Sequence, residues 1–206
     1  MSVLHAEIDL ITADPLRLGD SMKYIEDTVR PVVESQRGNL GMSLYAHTEL
    51  GIAVLETFWA SRVALRSGED VTAASRDEAV RRATGTVTVE HYSVPVFERA
   101  GPVAAGAGVR LTRMDLAPSR VEDAVEIFGD TAVPWLAEGE GCRRVLYLVD
   151  RDSGRAISET VWRDAQALAR SRSAAAAVRA EAIVSAGCVI RAVEEYIMVF
   201  SSARKA

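Results

Sequence analysis

The sequence is poor in the residues that build disulfide frameworks, metal clusters and nucleic-acid surfaces. Its 206 residues include two cysteines and three histidines, and acidic side chains outnumber basic ones by 29 to 24. No zinc-ligand spacing occurs, so we expect no metal site and two reduced thiols, Cys142 and Cys188. A formal charge of −5 provides no basic stripe for phosphates. Nucleic acid is therefore excluded as an expected partner.

Long apolar runs are also missing. No stretch approaches the roughly 18 residues of a membrane helix, and the opening MSVLHAEIDL lacks the order of a secretory signal. We therefore expect a cytoplasmic protein with no membrane partner. The Gly-rich phosphate loop and the Gly-x-Ser-x-Gly elbow are absent too, so neither a nucleotide site nor a serine hydrolase is indicated.

What the sequence does contain is an internal repeat. At an offset of 103 residues, Glu56–Trp59 (ETFW) aligns with Glu159–Trp162 (ETVW). The same offset places Pro31 on Pro134, and further matches continue along the whole unit without a gap. Shared composition does not produce matches in one register, so the pattern indicates duplication of a single unit.

Each copy shows the same order of predicted elements. In the first, an alternating strand at 3–11 precedes an amphipathic helix that Pro31 should kink or shorten near its last turn. A hairpin, a second helix and a last strand follow, at 40–46 with 52–59, at 62–83 and at 86–97. This β-α-β-β-α-β order is the ferredoxin-like arrangement. We expect an α+β chain with two such domains, 1–100 and 109–206, joined by a small-residue linker at 101–108.

The repeated unit resembles the antibiotic biosynthesis monooxygenase domain of the dimeric α+β barrel superfamily. The shared features are the unit length, the proline-ended first helix leading to Gly38 or Gly141, and the Glu-x-x-Trp strand end before a second helix. They cover both halves of the chain. The resemblance implies two ferredoxin-like units packed sheet to sheet around an apolar cavity. Here both units lie in one chain, and a homodimer of such chains stays open.

The resemblance also implies an activity, cofactor-independent monooxygenation of a phenolic, polyketide-like aromatic molecule by dioxygen in secondary metabolism. A cofactor-free cyclase or isomerase and a non-catalytic small-molecule binder stay open. Haem-degrading members carry a second Trp and an axial His on the second helix, where this chain has Gly68 and Glu78. The His that many oxygenase-like members place early in that helix is missing from residues 64–75. Haem is not expected, and no bound cofactor is, although a diffusible reduced flavin stays open.

The two copies differ in histidine and charge. His5, His47 and His91 all lie in the first copy. Residues 1–103 hold 10 basic and 15 acidic side chains, whereas residues 104–206 hold 14 of each. Because histidine accepts a phenol proton near neutral pH, we expect the first half to hold the working cavity, with His91 as the first candidate base and His5 as the second.

The surroundings of these bases follow from strand alternation. His91 shares a strand face with Val87 and Val89 and is expected to be enclosed. His5 shares the polar side of its strand with Glu7 and Asp9. That side faces the cavity if helices cover the apolar side, and otherwise His5 is a solvated strand start.

Four other side chains of the first copy are candidates for substrate contact. Tyr45 and Tyr92 could donate hydrogen bonds, and Trp59 could form an aromatic wall, although packing between sheet and helix is its first expected role. His47 lies in the hairpin turn and is expected to be solvated.

Charged residues at equivalent positions give two further expectations. Glu56 and Glu159 stand on apolar strand faces, so each is either paired with an arginine or an acid of raised pKa. Arg110 and Arg113 bring positive charge to the first strand of the second copy, and one of them could pair with an acid across the barrel.

Overall fold

The computed structural model describes residues 4–203, which form alternating strands and helices in the predicted order. The α+β class is therefore confirmed. The strands are β1 (Leu4–Thr12), β2 (Asn39–His47), β3 (Ile52–Trp59), β4 (Thr86–Arg99), β5 (Gly108–Asp115), β6 (Cys142–Val149), β7 (Arg155–Trp162) and β8 (Val189–Ser201). The α-helices are α1 (Leu18–Tyr24), α2 (Arg30–Glu34), α3 (Arg62–Arg82), α4 (Val121–Ile127), α5 (Val133–Glu138), α6 (Ala165–Arg170) and α7 (Arg172–Ala186).

The chain divides into two compact units. The first holds the residues up to His91 together with those from Met198 onward, and the second holds Tyr92–Ile197. Each boundary therefore falls inside a long strand, β4 or β8. No helix that the structure describes between residues 4 and 203 combines the length and the apolar character needed to cross a membrane.

In the first unit, β3 lies between β1 and β2 and pairs antiparallel with both. Side chains on one face of this sheet, among them Ile11, Leu44 and Leu55, pack against helix residues such as Leu18 and Leu65. Strand alternation sends these side chains to the same face because neighbouring residues of a strand point to opposite sides.

In the second unit, β7 lies between β5 and β6 in the same antiparallel manner, which repeats the order seen in the first unit. The first part of β8 pairs with the outer edge of β5, and the last part of β4 pairs with β6. The repeat inferred from the sequence is thus visible as two sheets of equal strand order. The sheet-to-sheet packing that the resemblance implies stays a prediction.

The first helix of each copy contains a π-helical turn. In the first copy, residues Ile25–Val29 form this turn between α1 and α2, and Pro31 occupies the start of α2. A proline lacks the N–H that an α-helix interior needs, but it is well tolerated in the first turn of a helix. The wider turn thus lets Pro31 begin a new α-segment, where the sequence predicted a kink or an early end. Phe128–Ala132 and Pro134 repeat the arrangement.

The second helix differs between the copies. In the first copy, α3 runs unbroken over 21 residues from a Ser61 cap, whose side chain accepts a hydrogen bond from the Ala64 N–H at 3.2 Å. Gly68 lies so close to the Trp59 ring that an added Cβ would stand 2.1 Å from it. In the second copy, Ser171 takes the position of Gly68 and separates α6 from α7.

Candidate functional site

A cluster of charged side chains lies in the first unit, where α3 covers β1 and the start of β4. Glu7 and Asp9 come from β1, Glu69 and Arg76 from α3, and His91 from β4. Arg76 Nη1 lies 3.3 Å from Glu7 Oε1 and 3.7 Å from Asp9 Oδ1. Residues far apart in sequence thus meet at one point of the helix-sheet layer. We call these five residues the acidic cluster.

The acidic cluster decides between two alternatives for β1. The polar side of this strand would face a cavity if helices covered the apolar side, and otherwise His5 would be a solvated strand start. In the structure α3 lies over the polar side, where Arg76 supplies a counter-charge to both Glu7 and Asp9. The carboxylates are nearly excluded from water, with relative exposures of 5% for Glu7 and 3% for Asp9.

His91 lies at the solvent edge of the acidic cluster. Its Nε2 is 3.4 Å from Glu7 Oε2 and 3.5 Å from Glu69 Oε1, and 45% of its side chain is exposed. The expectation of an enclosed imidazole was therefore wrong, since the neighbouring Val87 and Val89 are only partly buried themselves. The hydrogen bond to Glu7 raises the pKa of His91, a shift that burial opposes and the charge of Glu69 reinforces.

Asp9 has the most perturbed carboxyl group of the acidic cluster. Burial, together with the like charge of Glu7, raises its pKa to about 8, against the opposing effect of Arg76. Its Oδ1 is buried and accepts no hydrogen bond within the described part of the chain. A carboxyl group in this state is largely protonated at neutral pH.

The other sequence-predicted site residues lie elsewhere in the chain. Trp59 is buried against Gly68, and its Nε1 donates a 2.9 Å hydrogen bond to Thr57 Oγ1. Its expected packing role is confirmed. Tyr45 and Tyr92 are buried on β2 and β4, while His5 and His47 are half-buried on β1 and at the end of β2.

An apolar pocket of about 210 Å³ lies in the second unit, between its sheet and its helices. Its apolar wall includes Met114, Ile127, Phe128, Trp135, Tyr147 and Ile190. The rings of Phe128 and Tyr147 stack with their centroids 4.4 Å apart. None of the six sequence-predicted site residues is among the described residues that line this pocket.

Two differences between the copies leave this space open. Ser158 on β7 stands where the first copy has Leu55, a core residue. In addition, the guanidinium of Arg82 lies 4.3 Å from the ring centre of Tyr24 in the first copy, whereas the second copy has Ser185 and Ile127 at those positions. At these positions the second copy therefore has smaller side chains beside the pocket than the first copy has.

The pocket also has polar groups. Arg179 on α7 lines it, and burial together with the charge of Arg110 lowers the pKa of this guanidinium. Glu181 and Cys188 line it as well. Burial raises the pKa of the Cys188 thiol, which therefore stays protonated at neutral pH. The pocket therefore presents one basic side chain, Arg179, and one acidic side chain, Glu181, beside an apolar wall.

The second unit carries the counterpart of the acidic cluster with two carboxyl groups replaced by arginines, while Arg179 keeps the positive charge of Arg76. At the offset of 103, Arg110 and Arg172 replace Glu7 and Glu69. Glu195 Oε1 lies 2.8 Å from Arg110 Nη2, and Glu195 Oε2 lies 2.6 Å from Arg172 Nη2. Arg110 and Arg172 thus both form ion pairs with Glu195, a residue of the same unit.

The expected arginine and glutamate pairs are present. Arg113 Nε lies 3.1 Å from Glu194 Oε2, so both Arg110 and Arg113 pair with an acid of the adjacent strand β8, whereas the sequence suggested that one of them could pair across the barrel. Glu159 pairs with Arg144 at 2.6 Å, with both side chains fully buried. For Glu159 the arginine alternative is therefore confirmed.

Sequence reasoning missed both the acidic cluster and the pocket. The cluster residues are separated by up to 84 positions, from Glu7 to His91, so no local spacing in the sequence indicates that they meet. The pocket depends on which side chains are small, and Ser158 opposite Leu55 in the repeat alignment is a signal that could have indicated it.

Comparison with known proteins extends these observations. No family model matches the sequence. The chain is 25% identical over 204 residues to the uncharacterized protein Rv2558 of Mycobacterium tuberculosis (strain ATCC 25618 / H37Rv), with 98% of this chain and 86% of that protein covered.

Two solved structures share the fold. A structure of an anthrone oxidase-like protein superposes with a TM-score of 0.71 at 15% identity, covering 98% of this chain and 93% of the other. A candidate monooxygenase of Fusobacterium nucleatum superposes with a TM-score of 0.73 at 14% identity, covering 97% and 93%. The chain has the fold of monooxygenase-like α+β proteins over nearly its full length, and the resemblance stated from the sequence is confirmed at the level of the fold.

Proposed function

We propose that the protein binds a small aromatic molecule with one anionic group in the pocket of the second unit. The observation that carries this proposal is the combination of stacked rings, Phe128 and Tyr147, with the partly buried Arg179. An aromatic ligand would replace water against the apolar wall. Its anionic group would supply the negative charge that a partly desolvated guanidinium favours.

The size of the pocket limits the ligand. Pockets for drug-sized molecules span roughly 300–1,000 Å³, and this one holds about 210 Å³. A compound of about one or two rings fits that volume, whereas a four-ring polyketide would extend into solvent. Trp135 is 41% exposed at the wall, in a position to cover such a ligand.

Binding is tested with 2-naphthoate and its neutral analogue 2-naphthalenemethanol, by calorimetry and by quenching of Trp135 fluorescence. The other tryptophans, Trp59 and Trp162, are buried and 2% exposed. We expect 2-naphthoate to bind more tightly, by about tenfold, because only the anion gains from Arg179. Equal binding of the two compounds would contradict the role of Arg179.

Two substitutions sharpen this experiment. Ser158→Leu restores the leucine of the first copy and should abolish binding while the fold is kept, because it fills existing space. Arg179→Met should remove the preference for the anion. Arg170→Met, on an exposed position of α6, removes the same charge and should leave binding unchanged. Binding that survives Ser158→Leu would exclude this pocket.

A second candidate function is cofactor-independent monooxygenation of a phenolic molecule, favoured by the fold shared with the anthrone oxidase-like protein. In such a reaction a ring CH₂ becomes C=O, one atom of O₂ enters the product and the other leaves as water. It needs a base, and His91 and His5 stay proposals for that role. We rank this function second because no described residue lining the pocket is a histidine.

Oxygen uptake with anthrone distinguishes this candidate from a cyclase or a binder. Oxygen-dependent turnover lost in His91→Ala would support the histidine mechanism. Turnover that is unchanged in both His91→Ala and His5→Ala would remove these bases, and binding without oxygen uptake would leave the cyclase or isomerase and the binder as candidates.

A further inference from the structure

We infer that Glu7, Glu69 and His91 form a binding site for one divalent transition-metal ion of the Zn²⁺ class in the first unit. The three residues come from β1, α3 and β4. One ligand atom from each lies within 4.8 Å of the others. This site is independent of the pocket proposed to bind an aromatic molecule.

The distances fit a tetrahedral ion. With metal–ligand bonds of about 2.1 Å, the ligand atoms of a tetrahedral zinc site stand about 3.4 Å apart. His91 Nε2 lies 3.4 Å from Glu7 Oε2 and 3.5 Å from Glu69 Oε1. Both separations are long for direct hydrogen bonds, whose usual length is about 2.9 Å. Two of the three distances between ligand atoms therefore already match those around a tetrahedral zinc ion.

Asp9 provides an independent observation. It is 3% exposed, and its Oδ1 accepts no hydrogen bond within residues 4–203. The nearest cation, Arg76 Nη1, lies 3.7 Å from that oxygen, outside hydrogen-bond range. Buried polar atoms are rarely left in this state. A cation held by the neighbouring Glu7 would place positive charge beside this oxygen.

The balance of charge also favours a cation. Glu7 and Glu69 bring two carboxyl groups to the proposed site, against one permanent positive charge on Arg76. Arg76 engages Glu7 Oε1, whereas His91 faces the other oxygen, Oε2. Arg76 therefore contacts one oxygen of the Glu7 carboxyl group, Oε1, and leaves the other, Oε2, as the atom proposed to bind the metal ion.

The donor types select the metal. Imidazole nitrogen suits zinc and related transition metals, while calcium and magnesium prefer oxygen ligands alone. An ion can reach the site, because 45% of the His91 side chain and 31% of the Glu69 side chain are exposed. Three protein ligands leave a fourth position for water or another molecule.

The second unit supplies a natural contrast. Its equivalents of Glu7 and Glu69 are Arg110 and Arg172, and both pair with Glu195. Two arginines repel a cation. Of the two copies, the first has this arrangement of ligands, and we therefore expect the site to bind one ion per chain.

The test is a calorimetric titration of ZnCl₂ into the 206-residue, tag-free chain after EDTA treatment and dialysis. We expect one bound ion per chain. His91→Gln and Glu69→Gln should each weaken binding at least tenfold, and both positions are partly exposed, so circular dichroism should show an unchanged fold. Ca²⁺ and Mg²⁺ should bind far more weakly than Zn²⁺.

Glu78→Gln is the matched control. Glu78 lies on the same helix, α3, and pairs with Arg81 and Arg82 outside the acidic cluster. This variant should bind Zn²⁺ as the unchanged chain does. The proposal is overturned if the unchanged chain shows no saturable Zn²⁺ binding, if His91→Gln and Glu69→Gln bind as tightly as Glu78→Gln, or if Ca²⁺ binds as tightly as Zn²⁺.

Discussion

Arg144 and Glu159 form an ion pair in the second unit from which water is excluded. Nη2 lies 2.6 Å from Oε1, Nε lies 3.0 Å from the same oxygen, and neither side chain has exposed surface. Gly41 occupies the position of Arg144 in the first copy. Both copies have a glutamate at this position, Glu56 and Glu159. The second copy supplies Arg144 as the partner of Glu159, whereas the first copy has a glycine at the position equivalent to Arg144.

Removing one member of this pair should destabilise the protein strongly. Arg144→Met leaves the Glu159 carboxylate buried without its guanidinium, and such a loss costs about 3–5 kcal/mol. Urea unfolding of Arg144→Met and of the double variant Arg144→Met/Glu159→Leu checks this, and the double variant should be the more stable one. Arg163→Met breaks a largely exposed pair with Asp164 and should change stability by less than about 1 kcal/mol. A similar loss in both single variants would contradict the role of burial.

Stability should fall as the pH rises through the range in which Asp9 loses its proton. The folded-state pKa of Asp9 is about 8, above its ordinary value of 3.8, so the folded state holds this proton more tightly than the unfolded state does. The favourable contribution is present near pH 4 and is lost progressively up to about pH 8. The raised pKa of His91 acts in the same direction.

The measurement is urea unfolding between pH 5 and pH 8 with a chelator present. We expect the free energy of unfolding to fall by more than about 1 kcal/mol, since each unit of pKa shift corresponds to about 1.4 kcal/mol. Asp9→Asn should show a clearly smaller fall. A pH dependence that is the same in this variant would place its origin elsewhere.

Gly68→Ala should destabilise the first unit because its Cβ would lie 2.1 Å from the Trp59 ring. Overpacking of this kind costs about 1–3 kcal/mol. Gly19→Ala on α1 has no neighbour within 4 Å of the new Cβ and should stabilise by about 0.5–1 kcal/mol through helix propensity. Thermal unfolding of the two variants should therefore move in opposite directions.

Both thiols should react slowly in the folded protein. Burial raises the pKa of Cys142 to about 11 and also raises that of Cys188, so neither is a thiolate at pH 8. Iodoacetamide labelling followed by mass spectrometry should proceed at least tenfold faster in urea. Because Cys188 lines the pocket, 2-naphthoate should slow its labelling further and leave Cys142 unaffected.

The fold was accessible from the sequence because repetition and alternation are local signals. The strand predicted at 52–59 is β3, Ile52–Trp59, and the helix predicted at 62–83 is α3, Arg62–Arg82. The side of β1 that meets α3 was not accessible. Polar alternation normally indicates solvent, whereas Glu7 and Asp9 are buried beside Arg76, a residue distant in the sequence.

The site residues were harder to foresee for the same reason. Because all three histidines lie in the first copy, the sequence indicated His91 as a candidate site residue. Its partners Glu7 and Glu69 come close to it only in the folded chain. Ser158, which lines the pocket, is smaller than its counterpart Leu55, and a single sequence shows such a difference only through comparison with its own repeat.

The π-helical turns preceding Pro31 and Pro134 bear on the history of the chain. A π-turn holds one residue more than the α-turn it replaces. The two turns, Ile25–Val29 and Phe128–Ala132, occupy equivalent places at the offset of 103. Independent insertions at the same point of two helices would be a coincidence. The additional residue was therefore already present in the ancestral single unit when that unit was copied, whereas the exchanged charges and the emptied pocket arose after the copies began to diverge.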